Sequence, residues 1–259
     1  MDISVCLEPR KNGTNIMRFK DLQIKWNPTE EGLATLNIAP IPAKQALPQW
    51  YVNMSNKGDE TKSSPCIING EFAFNTTLKR CQPFADALTF GYVQLAWQDI
   101  FIQQDEDNNI DFGFPVEPSI CKIRESQNTN YPINPAFNPI EFSWMPKYYP
   151  ELPNGYSCLI THPINRYDLP FITLSGVVDS DDYVISHSFA NLPFYVRKGF
   201  TGIIPAGTPL WQIIPFKRDP WVSSVNLFDK DFYVTQTNRV KRHLLNAYRK
   251  EHWKKKSFK

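Results

Sequence analysis

Hydrophobic and polar residues alternate along much of this chain in short runs, the period of half-buried β-strands. Asp21 to Trp26 (DLQIKW) places Leu22, Ile24 and Trp26 on one face, and Ala34 to Ile41 (ATLNIAPI) repeats the pattern until Pro40 and Pro42 stop it. Gly91 to Ile102 (GYVQLAWQDIFI) alternates through Tyr92 and Gln94, then through Leu95, Trp97 and Asp99. It is the strongest strand expected in the first hundred residues. Just before it, Lys79 to Tyr92 reads as a short helix or turn with Phe84, Leu88 and Phe90 buried. Asn154-Gly155 is a turn signal that opens the most orderly stretch. Strands are expected there over Tyr156 to Thr161, Leu174 to Val178, Asp182 to Ile185, Pro193 to Val196, Gly202 to Pro205 and Leu210 to Phe216. Short strands about ten residues apart, with turn residues between them, predict a β-sandwich or barrel. After Tyr233 the period changes. Val240, Leu244 and Tyr248 recur every fourth residue among arginines and lysines, which predicts an amphipathic helix of about 20 residues, roughly 30 Å long.

Composition sharpens this picture. Among 259 residues there are 22 prolines but only 11 glycines, and 14% are aromatic; so much proline argues against a helical bundle. Eight of the prolines fall in residues 115–153, interleaved with Tyr131, Phe137, Phe142, Trp144, Tyr148 and Tyr149. That stretch reads as an arm packed over the body, since a free linker would be more polar. The chain therefore divides into an N-terminal β-rich module (1–114), a proline-rich arm (115–153), a β core (154–221) and a basic C-terminal helix (222–259), all in one compact unit. An apolar share of 42% excludes a disordered chain. No run approaches the roughly 20 apolar residues of a membrane span. The opening MDISVCLEPRKNG has an acid at position 2 and no apolar core, so no secretory signal is expected and the cytoplasm is the expected location. Cys6, Cys66, Cys81, Cys121 and Cys158 form no CxxC and fit scattered reduced thiols.

The net charge of +2 conceals an asymmetry. Nine basic residues and one acid lie from Arg239 onward, which leaves 19 basic and 25 acidic residues before it. Arg239, Lys241, Arg242, Arg249, Lys250, Lys254, Lys255 and Lys256 are the candidate contacts of that segment. Three readings stand: a solvated end, docking on an acidic surface of a partner or another copy, or nucleic-acid contact by phosphate neutralisation. The acidic run Asp105 to Asn109 lacks the glycine and downstream glutamate of a calcium loop and reads as a hairpin tip.

One constellation carries possible chemistry. In Ser175-Gly-Val-Val-Asp-Ser-Asp-Asp-Tyr183 a strand ends in Asp179, with Tyr183 four residues on. A carboxylate beside an aromatic ring can hold a sugar hydroxyl or activate a water. The same string also reads as a strand ending in a solvated acidic turn. Further along, IPAGTPLWQII turns tightly into a strand whose one long polar side chain is Gln212. The order GVVDSDDY, then IPAGTPLWQII, resembles the dUTPase and dCTP deaminase superfamily. The longer run NGYSCLITHPINR, LPFITLSGVVDSDDY and IPAGTPLWQIIPFKRDPW resembles uncharacterised tailed-phage proteins and a bacterial domain family of unknown function.

The resemblance implies a dUTPase-like β-barrel or jelly roll over about residues 150–221. It also implies a nucleotide pocket with Asp179 as its catalytic candidate and Asn165, Arg166, Tyr183 and Gln212 as ligand contacts. It implies self-association, a trimer included, or another phage protein as partner, in the host cytoplasm or the virion. Two family parts are missing. Thr161-His-Pro-Ile-Asn-Arg166 stands where a P-R-S-G phosphate turn belongs, and a lysine-rich segment replaces the glycine-rich lid. Phosphoryl transfer depends on positioning and charge neutralisation, so the expectation is a non-enzymatic accessory protein that binds or assembles. The alternative is a nucleoside triphosphate pyrophosphohydrolase, which alone would bring in Mg²⁺. No metal centre is otherwise expected, since His162, His187, His243 and His252 offer no H-x-H or H-x-D/E spacing.

Overall fold

The computed structural model describes residues 22–31, 33, 36–58, 67–68, 71–72, 77–107, 109–117, 119–125, 127, 130–181, 191–241 and 247–259. Over these residues the chain is mainly β, in several antiparallel sheets numbered here along the sequence. Two sheets build the core. The first runs in the order β13 (Gly176–Val178), β11 (Tyr156–Thr161), β16 (Pro209–Lys217), β5 (Tyr92–Leu95) and β2 (Ile41–Pro42). The second runs β12 (Phe171–Thr173), β14 (Leu192–Val196), β9 (Phe142–Trp144) and β8 (Cys121–Ile123). A three-stranded sheet, β15 (Gly202–Ile204), β6 (Ile100–Gln104) and β7 (Ile110–Gly113), packs beside them. Two pairs complete the set: β1 (Lys25–Pro28) with β10 (Tyr148–Glu151), and β3 (Ile67–Ile68) with β4 (Glu71–Phe72). The helices are α1 (Gln49–Asn53), α2 (Gln82–Thr89), α3 (Lys230–Lys241) and α4 (Ala247–Glu251).

β16 is central, and its first six residues are all buried. That is why it reads as a continuous apolar run rather than an alternating one. Trp144 is fully buried where the two core sheets meet, stacked on Phe194 at 3.6 Å between ring centroids, with Phe171 at 5.1 Å. Its indole N–H donates to the Thr173 hydroxyl at 3.0 Å, and that hydroxyl donates to the Leu210 carbonyl at 2.8 Å. One indole thereby satisfies its own polar atom and ties β9 through β12 to β16. Gly91 cannot be replaced by a larger residue: its φ is +75°, and a Cβ there would sit 2.2 Å from the Ile213 carbonyl oxygen.

Several expectations need correction. No closed barrel forms among the described residues. The first sheet ends on two- and three-residue strands, and Pro42 in β2 has no N–H to extend a ladder. The proline-rich stretch is not an arm laid over the body. It supplies β8, β9 and β10, with Phe142 and Trp144 inside the core. The run Gly91 to Ile102 is two strands in different sheets, broken where the Ala96 carbonyl accepts from Gly207 N–H at 2.8 Å. Of the described residues expected to extend a strand up to Ile41, Leu36 and Asn37 form a turn, with Asn37 at φ +51°, and only Ile41 lies in a strand, β2. Leu22 is exposed, while Ile24 and Trp26 do pack on the core. The helix expected from Tyr233 starts instead at Lys230, and α3 and α4 are separate. Leu244, Leu245, His243 and the strand expected at 182–185 lie outside the described residues. Among the described residues no helix is long and apolar enough to cross a membrane.

Candidate functional site

Asp179 leaves the end of β13 with a 70% exposed carboxylate that accepts from the Ser157 hydroxyl at 2.6 Å. Its neighbour Asp181 is the deeper acid, 6% exposed, and takes both guanidinium nitrogens of Arg218 and the Gly155 N–H at 2.6 Å. Arg218 also donates to the Tyr156 carbonyl and the Ser157 hydroxyl, each at 3.0 Å, and reaches Asp179 at 3.4 Å. Its hydrogen bonds, with that of Gly155 N–H, hold the Asp181 carboxyl well below its ordinary 3.8. Arg218 was not among the residues nominated from sequence. The strand register explains its place: Lys217 faces Tyr156, so the next residue meets the Asn154-Gly155 turn, where Arg218 N–H donates to the Gly155 carbonyl at 2.8 Å. Asp181, with Asp179 beside it, thus anchors the exit of β16 through Arg218.

The other nominated residues lie at the opposite end of β11. Gln212 faces Thr161, four residues from Ser157, or about 13 Å along the strand. Its buried amide is spent on the backbone. The oxygen accepts from Ile164 N–H at 2.8 Å, and the nitrogen donates to Phe90 at 2.5 Å and Ala87 at 3.2 Å. Asn165 takes the left-handed φ of +62° inside a turn closed by Arg166 N–H on the Pro163 carbonyl at 3.1 Å. The Arg166 side chain, 11% exposed, forks onto Asp168. His162 accepts the Thr173 N–H at Nδ1 and so carries its proton on Nε2, which donates to the Arg166 carbonyl at 3.0 Å. Burial, with Arg166 nearby, holds this imidazole below its ordinary 6.5, so it stays neutral. Gln212 therefore clamps β16 to α2 with its amide committed to the backbone, and Arg166 is paired with its own neighbour Asp168. Asp179 and Arg166 stand at opposite ends of one strand; Tyr183 lies outside the described residues. No three His, Cys, Asp or Glu side chains come together among the described residues.

No family model matches this chain, and no curated protein matches it.

The C-terminal segment differs from all of this. Every residue from Phe216 to Thr235 is exposed. The stretch includes Trp221 at 91%, Val225 at 100% and Leu227 at 96%, with Val222, Phe228, Phe232, Tyr233 and Val234 all more than two-fifths exposed. Pro220 and the Ser-Ser pair at 223–224 give no helix period, and residues 218–229 run without regular structure until Asp229 caps α3 by accepting the Phe232 N–H at 2.9 Å. A groove of about 900 Å³ lies between this segment and α3, lined by Leu227, Phe228, Phe232 and Tyr233 among others. The chain then returns to the body. The Trp253 indole and Lys256 both donate to Asp86 of α2, at 2.8 and 2.6 Å, and Phe258 packs edge-on against Phe90 and Tyr92.

The nominated cations divide accordingly. Lys256 is held by Asp86, and Arg239 by Glu251 at 3.2 Å. Arg249 lies over the Trp253 ring at 5.9 Å. Lys250, Lys254 and Lys255 are exposed, as is Arg249. Arg242 and the Lys241 side chain lie outside what is described.

Proposed function

We propose that this chain is a phage-type accessory protein that works by binding and assembly, in the host cytoplasm or the virion, through its C-terminal arm and helices. The observation that carries this reading is the run of twenty consecutive exposed residues with eight large apolar side chains from Trp221 to Val234. Apolar patches on monomers seldom exceed a few hundred Å², and larger ones mark interaction sites. The four rings of this run, Trp221, Phe228, Phe232 and Tyr233, carry roughly 600–1,000 Å² at 150–250 Å² each, more than half of it exposed. The phage part of the reading rests on the motif order over residues 150–221, and the fold relationship to nucleotide-handling barrels rests on the same residues.

The hydrolase alternative has less support. It needs Asp179 and a cation for phosphate in one cleft, yet Arg166 is spent on Asp168 and lies a strand's length away, and Arg218, the guanidinium beside Asp179, is held by Asp181. Nucleoside triphosphates with Mg²⁺, offered to the full chain, should release no more pyrophosphate than with Asp179→Asn. Turnover lost in Asp179→Asn would overturn the assembly reading. Deleting residues 239–259 is a poor test, because Trp253, Lys256 and Phe258 help to hold α2 and β5. Charging the arm leaves those contacts intact: Trp221→Asp with Phe228→Asp should abolish complex formation without changing the thermal midpoint of the free chain.

A further inference from the structure

We infer that the arm of one copy seats on the outer face of the three-stranded sheet of a second copy. This rests on the assembly reading and names its partner. The seat is built by register. Ile203 of β15 lies directly opposite Phe101 of β6, so both stand side by side on one face, 50% and 43% exposed. On the far strand Phe101 faces Gly113, which adds no side chain of its own and leaves the ring uncovered on that flank. Next to Ile203 opens a cleft of about 260 Å³ lined by Leu169, Pro170, Phe200 and Pro205 together with the charged Asp168 and Arg197, room for one aromatic side chain such as Trp221 or Phe228. An exposed pair of large apolar residues beside a cleft of mixed lining can receive a ring whose edge meets polar groups, as an indole does.

Area and charge both favour a second copy. The four partly exposed rings from Trp221 to Tyr233, roughly 600–1,000 Å² when whole, are of the same order as the ~800 Å² per partner of a standard stable interface. Both ends of the segment are held on their own body, Arg218 on Asp181 and Trp253 with Lys256 on Asp86, and the exposed residues between them form the surface a neighbour would meet. The hairpin joining β6 to β7 carries exposed Asp105, Glu106, Asp107 and Asp111 at the end of the seat sheet. Arg249, Lys250, Lys254 and Lys255, which follow the arm, have the opposite sign. Apolar anchoring with flanking charge steering is the usual division of labour at such contacts.

Sedimentation equilibrium of the full chain, at low and high salt, tests this with four samples. They are the unaltered chain, an arm variant (Trp221→Asp with Phe228→Asp), a seat variant (Phe101→Glu with Ile203→Glu), and an equal mixture of the two variants. The unaltered chain should exceed its 30.0 kDa monomer mass, less so at high salt. Each variant alone should associate at least 30-fold more weakly, the loss expected for one hot-spot residue. The mixture should regain a complex, because the intact arm of one meets the intact seat of the other. Should the seat variant lose its native circular dichroism, Ile203→Ser alone replaces it. An unaltered chain that stays monomeric, or gains mass only when DNA is added, overturns this inference while leaving assembly with a different partner standing. Association that survives the arm variant overturns the assembly reading as well. Association lost in the arm variant but kept in the seat variant refutes the seat.

Discussion

Trp144 and Trp221 are the same residue used in opposite ways. The first is fully buried, stacked on Phe194, with its indole N–H on Thr173. The second is 91% exposed in a segment without regular structure. The contrast extends to the regions around them. In the core, polar atoms such as the Gln212 amide and the Thr173 hydroxyl are matched to backbone partners, and the apolar surface is covered. In the arm the apolar surface is bare. A chain able to bury two tryptophans and several phenylalanines between its sheets leaves eight large apolar residues outside from Trp221 to Val234. The difference is what the assembly proposal builds on: a core that covers its own apolar surface beside an arm that does not.

The contrast can be broken or sharpened by substitution. The largest effect is expected at Trp144→Ala, which should cost about 3–5 kcal/mol in denaturant unfolding. The matching Trp221→Ala should stay within about 0.5 kcal/mol in the dilute chain. If both cost the same, the arm packs on its own body and the comparison collapses. Gln212→Leu comes next. It orphans the Ile164 N–H and the Ala87 and Phe90 carbonyls, so a loss of about 2–3 kcal/mol is expected; nucleotide affinity lost without that destabilisation would instead restore a ligand role.

The smallest effect is the pH dependence of the core. The unfolded chain takes up a proton at the ordinary imidazole value of 6.5, whereas folded His162 resists it to lower pH. Protons therefore favour unfolding: the contribution is full above 6.5 and is lost as pH falls through the folded value. The denaturation midpoint should fall between roughly pH 7 and pH 5. His162→Gln, which keeps an acceptor for Thr173 and a donor for Arg166, should flatten that fall. A further loss below 3.8 should follow as Asp181 is protonated and releases Arg218, because its folded value is depressed.

Much of the core was legible in the sequence. The period-two pattern places β11 at Tyr156–Thr161, and the apolar run from Leu210 marks most of β16. The change of phase at Gln94 and Leu95 was a visible sign of the break between β5 and β6, since one strand cannot switch faces without an irregularity. What composition hid was pairing. Proline density in residues 115–153 suggested an arm because local propensity says nothing about which strands lie alongside. There β9 is buried by β8 and β14, whose partner residues are distant in sequence. The spacing of the nominated site residues was hidden for the same reason. Asp179 and Gln212 sit in motifs 33 positions apart, and only the register of β11 reveals that they mark opposite ends of one strand. Arg218 was invisible until that register placed it against Gly155. The arm was missed because an apolar run such as WVSSVNLFD in an isolated sequence looks like core.

Amide hydrogen exchange of the arm, followed in the full chain at nanomolar and at high micromolar concentration, tests the central claim most directly. The account predicts that residues 221–229 exchange as free peptide when dilute and become protected when concentrated. Protection that is already complete in the dilute chain would show the arm folded onto its own body, and would contradict the account.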